Sequence, residues 1–276
     1  MEWFIGFFDA EGNFQRTVEK RVTKRGDIYY KIAYSFHISL SLVDKELLYE
    51  IKDFLGMGRI YLYPKRNEAH FSVYRVKELQ QLVNLLSNYN FLTRNQSDNF
   101  RLLQWGLYRN IKRAKSLEEI DILFQRPIYA INYKESKEYL RYKEIFMQKN
   151  LTMNRGLFSE SFFPNWISGF MTGEASFTSN KKNKSYNCNL EQVDKNVLEF
   201  LKAFFEFNPK VYTKKLRKGR QQSYCIEVSS KKDLTTLIDF IENKHSKSSF
   251  ITLKGNKRKQ FRVWLELFNK KHQETK

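Results

Sequence analysis

The 276-residue chain is 41% hydrophobic and 16% aromatic, enough for two cores of roughly 100 to 150 residues each, and its formal charge of +19 calls for a polyanionic partner. Two cysteines exclude a disulfide framework or a cysteine-built zinc site, and four histidines at positions 37, 70, 245 and 272 form no metal-ligand spacing. No apolar run approaches the roughly 18 residues of a membrane span and no amphipathic segment is basic and bulky enough for an anchor, so nucleic acid and no membrane is the expected partner.

The first predicted element is Trp3 to Phe14, WFIGFFDAEGNF, and it returns as Trp166 to Phe177, WISGFMTGEASF. Two copies at so long a period point to two similar subdomains rather than a solenoid. Read as short helices, they place Gly6 with Ala10, and Gly169 with Gly173, one turn apart on a face almost without side chains. Such faces let two helix backbones approach closely, and each copy is the natural partner of the other. Glu11 and Glu174 follow at the last turn, where the helix end attracts cations. As neighbours they would disfavour each other's ionisation unless a cation held them, and hard oxygen ligands with room for water and phosphate suit Mg²⁺. The chemistry that follows is metal-assisted attack on a phosphodiester. A single copy would read more readily as a packing helix with a solvated cap; the repetition argues against that.

After the first motif, Asn13–Val22 and Asp27–Leu42 read as a hairpin around Thr23-Lys24-Arg25-Gly26. In the second strand Ile28, Tyr30, Ile32, Tyr34, Phe36, Ile38, Leu40 and Leu42 share one face, which is core, and the polar alternates share the other. Val43–Leu55 has helical apolar spacing and stops at Gly56. Arg59–Tyr63 and Ala69–Val76 form a second hairpin, followed by helices at Lys77–Tyr89 and Asn99–Ile111. Residues 115–158 hold charged helical patches, Ser116–Leu123 and Glu135–Gln148, separated by Arg126-Pro127, and no motif.

The second half repeats the order, with a hairpin at Ser176–Asn180 and Ser185–Val193 and a helix at Asp194–Phe207. A further hairpin at Lys210–Leu216 and Ser223–Ser229 precedes helices at Lys232–Glu242 and Lys254–Lys270. Residues 210–232 carry eight Lys or Arg and one acid, Glu227. Beside a polar sheet face such a run serves phosphate contacts, although in most proteins it is only a solvated loop. The fold class is α+β, two pseudosymmetric αββαββα halves at residues 1–113 and 161–276 joined by a connecting segment at 114–160.

Both motif copies resemble the LAGLIDADG motif of homing endonucleases, and the run from Phe36 to Ile60 resembles that family's second strand, helix and third strand. The resemblance covers nearly the whole chain and implies a monomer whose two sheets form a saddle over DNA, with the motif helices packed at the interface. It implies Glu11 and Glu174 as catalytic ligands of Mg²⁺ or another divalent cation, with Ala10 and Gly173 beside them in the metal site. Asp9 falls on the motif's earlier acidic position, where the second copy has Thr172, and Ala175 replaces the final glycine. Family members place a lysine at the start of the last helix of a subdomain, near the scissile phosphate. Leu253-Lys254-Gly255-Asn256-Lys257 with Phe261 fits that setting and makes Lys257 catalytic, whereas Leu92-Thr93-Arg94-Asn95-Gln96 with Phe100 puts Gln96 there in the first half. The missing lysine puts equal cutting of the two strands in doubt.

The function implied is site-specific double-strand DNA cleavage in the service of intron mobility, with roughly 20 bp read by two sheets that each cover about one helical turn. Candidate DNA-binding side chains are Gln15, Thr17, Arg21, Lys31, Ser35, His37, Tyr61 and Lys65 in the first half, and Asn187, Asn189, Glu191, Lys214 and Glu227 in the second. The competing reading is a maturase that binds intron RNA and cuts weakly or not at all; the two glutamates favour cutting, and Gln96 counts mildly against it. The 24 Phe and 16 Tyr against 11 Gly and 4 Pro suit AT-rich organellar coding DNA, and Met1-Glu2-Trp3 enters the motif without a transit peptide, so the expected location is the mitochondrion.

Overall fold

The computed structural model describes residues 1–89, 91–129, 162–180, 185–219, 221–243 and 250–273. The chain forms two compact units, the first Glu11–Glu144 and the second Ile145–Lys276 together with Met1–Ala10. The expected helical patch at Glu135–Gln148 lies outside the described residues.

Helix α1 (Glu2–Glu11) runs directly into β1 (Gly12–Val22), which turns back into β2 (Ile28–Ser41). The turn closes as expected: Thr23 N–H donates to the Asp27 carbonyl at 2.8 Å, and Gly26 takes a φ of 89° that a side chain would resist. A 3-10 turn at Leu42–Asp44 leads to α2 (Lys45–Leu55), β3 (Arg59–Tyr63), β4 (Glu68–Val73), α3 (Val76–Leu86) and α4 (Arg94–Tyr108). The short β5 (Arg113–Ala114) and α5 (Leu117–Tyr129) follow. The antiparallel sheet has the order β1-β2-β4-β3, with β5 added beside Tyr30 and Lys31 of β2.

The apolar face of β2 is core from Ile32 to Ile38, where α2, α3 and α4 bury Leu48, Ile51, Leu82 and Leu103. Its outer end is not: Ile28 is 49% exposed, because the long hairpin reaches past the helices that cover the rest. Nor does Arg126-Pro127 end a helix, since α5 continues to Tyr129. Pro127 lacks the N–H that would bond the Leu123 carbonyl four residues back, and the indole of Trp105 donates to that carbonyl at 3.0 Å. The freed acceptor is satisfied by a neighbouring helix, so the proline is tolerated.

The second unit contains α6 (Phe162–Glu174), β6 (Ala175–Asn180), β7 (Ser185–Gln192), α7 (Lys195–Phe205), β8 (Tyr212–Thr213), β9 (Tyr224–Val228), α8 (Lys231–Ile241) and α9 (Gly255–Gln273). Its sheet order, β6-β7-β9-β8, repeats the first. So do its packing contacts. Phe14 meets Phe100 at 5.2 Å and Phe177 meets Phe261 at 5.1 Å; Tyr34 Oη donates to the Ile111 carbonyl at 2.8 Å and Tyr186 Oη to that of Leu267 at 2.9 Å. The expected strand at Lys210–Leu216 shrinks to Tyr212–Thr213. Beyond Lys214, the cations Lys215, Arg217 and Lys218 are exposed, and mutual repulsion favours solvent over a ladder. The fold is α+β, two repeated halves of helix, hairpin, helix, hairpin and closing helices. Among the described residues no helix is long and apolar enough to cross a membrane.

Residues 1–10 belong to the same unit as α6, and the two motif helices meet through their glycines. A Cβ built on Gly6 would stand 1.9 Å from the Trp166 carbonyl oxygen, and one on Gly169 would stand 1.9 Å from that of Trp3. Both obstacles are backbone, so the helices would have to separate. The expectation of a close crossing on small faces is met, and it explains why residues Trp3 to Asp9 are buried on every side. Gly6→Ala or Gly169→Ala should therefore lower stability by about 1–3 kcal/mol or more. Thermal unfolding of the variants checks this; an unchanged midpoint would mean the crossing is loose.

The crossing also accounts for Asp9, 2% exposed, whose Oδ2 accepts from the indole N–H of Trp166 at 2.8 Å. In the second copy Thr172 gives its hydroxyl to the Ser168 carbonyl at 2.8 Å, and the equivalent indole N–H, that of Trp3, has no hydrogen-bond partner among the described residues. Lys254 Nζ lies 5.5 Å from the Trp3 ring centroid, a cation–π contact on that side.

Candidate active site and nucleic-acid face

α1 ends at Glu11 and α6 at Glu174, and in each case the next residue opens an edge strand. On an edge strand alternate carbonyls point away from the neighbouring strand and need partners elsewhere. Those of Gly12 and Ala175 find them on the third residue of a helix. Gln96 Nε2, on α4, donates to the Gly12 carbonyl, and Lys257 Nζ, on α9, donates to the Ala175 carbonyl. Gln96 thus stands in its unit where Lys257 stands in the other. It is only 6% exposed and its Oε1 is buried without a hydrogen-bond partner among the described residues, whereas Lys257 is half-buried.

Glu11 and Glu174 are half-buried, as are Ala10 and Gly173 before them. Glu174 Oε1 accepts from Gln192 Nε2 at 3.0 Å, which holds the carboxylate without neutralising it. Among the described residues no cluster of three or more His, Cys, Asp or Glu side chains is gathered. The donors at each motif end are a carboxylate and backbone carbonyls. Such hard oxygens fit Mg²⁺, which keeps water and phosphate in its remaining positions.

Strand register decides which polar side chains share the sheet face opposite the helices. In the first unit Asn13, His37, Ser72 and Arg59 lie in one row across four strands, and Ser39, His70 and Tyr61 lie in the next. Gln15, Thr17, Arg21, Lys31, Ser35, His37 and Tyr61 all stand on this face. Lys65 does not, because it sits in the 3-10 turn Pro64–Arg66 and so belongs to neither strand. The ring nitrogens of His37 are engaged by Ser72 Oγ at 2.9 Å and Ser35 Oγ at 2.8 Å. Burial, and then the neighbouring His70, hold its pKa below the ordinary histidine value, so at neutral pH the ring is uncharged.

In the second unit Asn187, Asn189 and Glu191 alternate on the corresponding face, with Glu227 opposite Asn189. Asn187, Glu191 and Glu227 are already engaged by other side chains. Asn187 Nδ2 donates to Glu227 at 2.9 Å; Glu191 receives Lys214 at 2.9 Å and Ser223 at 2.7 Å, with Arg217 at 3.8 Å. The hydrogen bonds from Lys214 and Ser223 keep the Glu191 carboxyl below the usual carboxylate range, so Glu191 holds the basic loop against the sheet. Asn189 Oδ1 is buried without a partner among the described residues. Both cysteines are free and buried in strands, and burial pushes the Cys188 thiol up to about 12.

Beyond the candidates named from sequence, the register adds Asn13, Arg59 and Ser72 to the polar face of the first sheet, beside His70 and beside Ser39, which alternation already places there. Alternation along β1 marks Asn13 as well, but the β3–β4 residues needed the register between hairpins. Tyr74 joins them, with its hydroxyl accepting from Tyr61 Oη at 3.4 Å and Arg59 lying 5.6 Å above its ring.

The family model described as LAGLIDADG endonuclease matches the chain twice, at residues 4–106 and 167–268, once over each half. The chain belongs to the LAGLIDADG endonuclease family. A probable intron-encoded endonuclease of Schizosaccharomyces pombe, Cox1-I1b, is 24% identical over 98% of this chain. A probable intron-encoded endonuclease of Neurospora crassa is 26% identical over 62% of it. The chain spans 64% of the length of the first relative and 32% of the second. Among solved structures, the LAGLIDADG meganuclease I-AabMI bound to uncleaved DNA superposes with a TM-score of 0.67 at 22% identity, covering 99% of this chain and 91% of that one. The LAGLIDADG homing endonuclease I-GzeII in complex with its DNA target gives 0.66 at 22% identity, covering 100% and 92%. At that identity the LAGLIDADG likeness establishes the fold.

Proposed function

We propose that the protein is a site-specific double-strand DNA endonuclease that hydrolyses phosphodiesters with a divalent cation and promotes intron mobility from a mitochondrial gene. The observation that carries this reading is the constellation repeated in both halves of the chain: a motif helix ends in glutamate, and a polar residue three places into a late helix grips the next carbonyl. Membership of an endonuclease family and the DNA in the structures of its fold neighbours support it. In this reading the halves at 1–113 and 161–276, joined by 114–160, act as a monomer on roughly one helical turn of DNA each.

Glu11 and Glu174, with the carbonyls of Ala10 and Gly173, are the groups assigned to hold Mg²⁺. A bound ion there would lower the pKa of an attacking water and offset charge at the phosphate. The chain's own residues orient and bind. Lys257 brings a positive charge toward the scissile phosphate, and the polar sheet faces read the duplex through Gln15, Arg21, Lys31, Ser35, His37 and Tyr61 on one side and Asn187, Asn189 and Lys214 on the other.

The deciding experiment incubates purified protein and Mg²⁺ with plasmid carrying the host allele that lacks the intron. Linear product that disappears with EDTA is expected. No cutting together with tight binding to the structured intron RNA would overturn the endonuclease reading in favour of a maturase.

A further inference from the structure

We propose that Gln96 is the positioning residue of the first half-site: its amide holds the Gly12 carbonyl and so fixes the junction from which the Glu11 carboxylate projects. The inference rests on the endonuclease reading and adds a role to a position where the expected lysine is absent. Three observations carry it.

The first is equivalence. Gln96 and Lys257 are each the third residue of their helices, each is followed four residues on by a buried phenylalanine, and each donates to the carbonyl of the residue after the motif glutamate. Two different side chains that preserve one contact point to the contact, not the charge, as the shared job. The second is burial. At 6% exposure, with Oε1 unpartnered among the described residues, the Gln96 amide bears a desolvation cost that an apolar side chain of the same length would avoid. What the apolar side chain could not do is bond the Gly12 carbonyl. The third is the residue being held. Gly12 has no Cβ and more backbone freedom than Ala175, so the first junction depends more on an outside grip than the second.

The two side chains differ in what else they bring. A lysine ammonium has three donors and a charge, whereas a glutamine amide has neither the charge nor the third donor. The first half-site is therefore positioned like the second but has no positive charge at this position. On this account the two strands are cut at unequal rates and a nicked intermediate accumulates.

The test uses the full chain with Gln96→Met, Lys257→Met and Lys257→Gln. The carbonyl ¹³C resonances of Gly12 and Ala175 are read in the free protein, DNA affinity is read with Ca²⁺, and first-cut rates are read on DNA end-labelled on each strand with Mg²⁺. Gln96→Met is expected to shift the Gly12 resonance and slow one strand about tenfold, the worth of one hydrogen bond, with affinity nearly unchanged. Lys257→Met should slow the other strand about a hundredfold. Lys257→Gln should restore the Ala175 resonance, recover much of that loss and bring the two strand rates together.

An unmoved Gly12 resonance in Gln96→Met would overturn the inference. So would a Lys257→Gln variant as slow as Lys257→Met, because charge alone would then matter, or a Gln96→Met variant that loses affinity and both strand rates alike, the mark of general damage. A wild-type chain that cuts neither strand would overturn the endonuclease reading itself. The Gly12 resonance, read without DNA or metal, still decides whether the grip exists.

Discussion

Replacing Glu11 or Glu174 with glutamine is expected to abolish double-strand cleavage, by at least about a hundredfold on either variant, while target affinity stays within about tenfold of wild type. Glutamine keeps the size and the hydrogen-bonding reach of glutamate and removes only the negative charge that a divalent cation requires. The Glu174 carboxylate is held by Gln192 at 3.0 Å, so the substitution leaves a polar partner in place and should not unfold the junction. Affinity should be spared for a different reason. In a chain with a formal charge of +19, one carboxylate fewer near a phosphate repels DNA less, not more. Plasmid cleavage in Mg²⁺ and filter binding in Ca²⁺ separate the two effects. Linear product at near wild-type rate from either variant would remove the glutamates from the chemistry.

Affinity itself is expected to fall steeply with salt. If six to ten phosphates are neutralised, binding should weaken by about 10³ to 10⁵ between 50 and 200 mM salt, through release of condensed counterions. The cations available are spread over both units: Arg21, Lys31 and Arg59 stand on the polar face of the first sheet, and Lys215, Arg217 and Lys218 are exposed beside the second. Lys214 and Arg217 are partly offset by ion pairs with Glu191, and Arg21 by one with Glu19, so each should contribute less to the slope than Lys215 or Lys218. A titration run in Ca²⁺ on duplex DNA and on intron RNA reads both the slope and the preference. A nearly flat curve on duplex DNA would remove the case for phosphate-dominated binding.

Much of this was legible because it depends on local chemistry. The two motif copies, the helix-to-strand junctions after Glu11 and Glu174, and the hairpin closed by Gly26 follow from residue order and glycine placement, and each reappears in the fold. The core stripe of β2 was visible as strict alternation from Ile32 to Ile38. Even the substitution of Gln96 for the expected lysine could be found by aligning one half of the chain with the other.

The sequence alone determined the periodicities, the repeat and the charge, since these need only neighbouring residues or a count. It could not determine how far a regular pattern stays covered by other elements, which is why Ile28 lies outside the core although it keeps the alternation. Nor could it show that Pro127 is accommodated, because the donor that replaces its missing N–H, Trp105, comes from another helix. The tertiary structure alone brought Asn13, His37, Ser72 and Arg59 into one row, and it alone set Gln96 against the Gly12 carbonyl, 84 residues away in the chain. Contacts of that span depend on which faces pack together. Packing is settled by the burial of whole surfaces and not by the identity of any single residue.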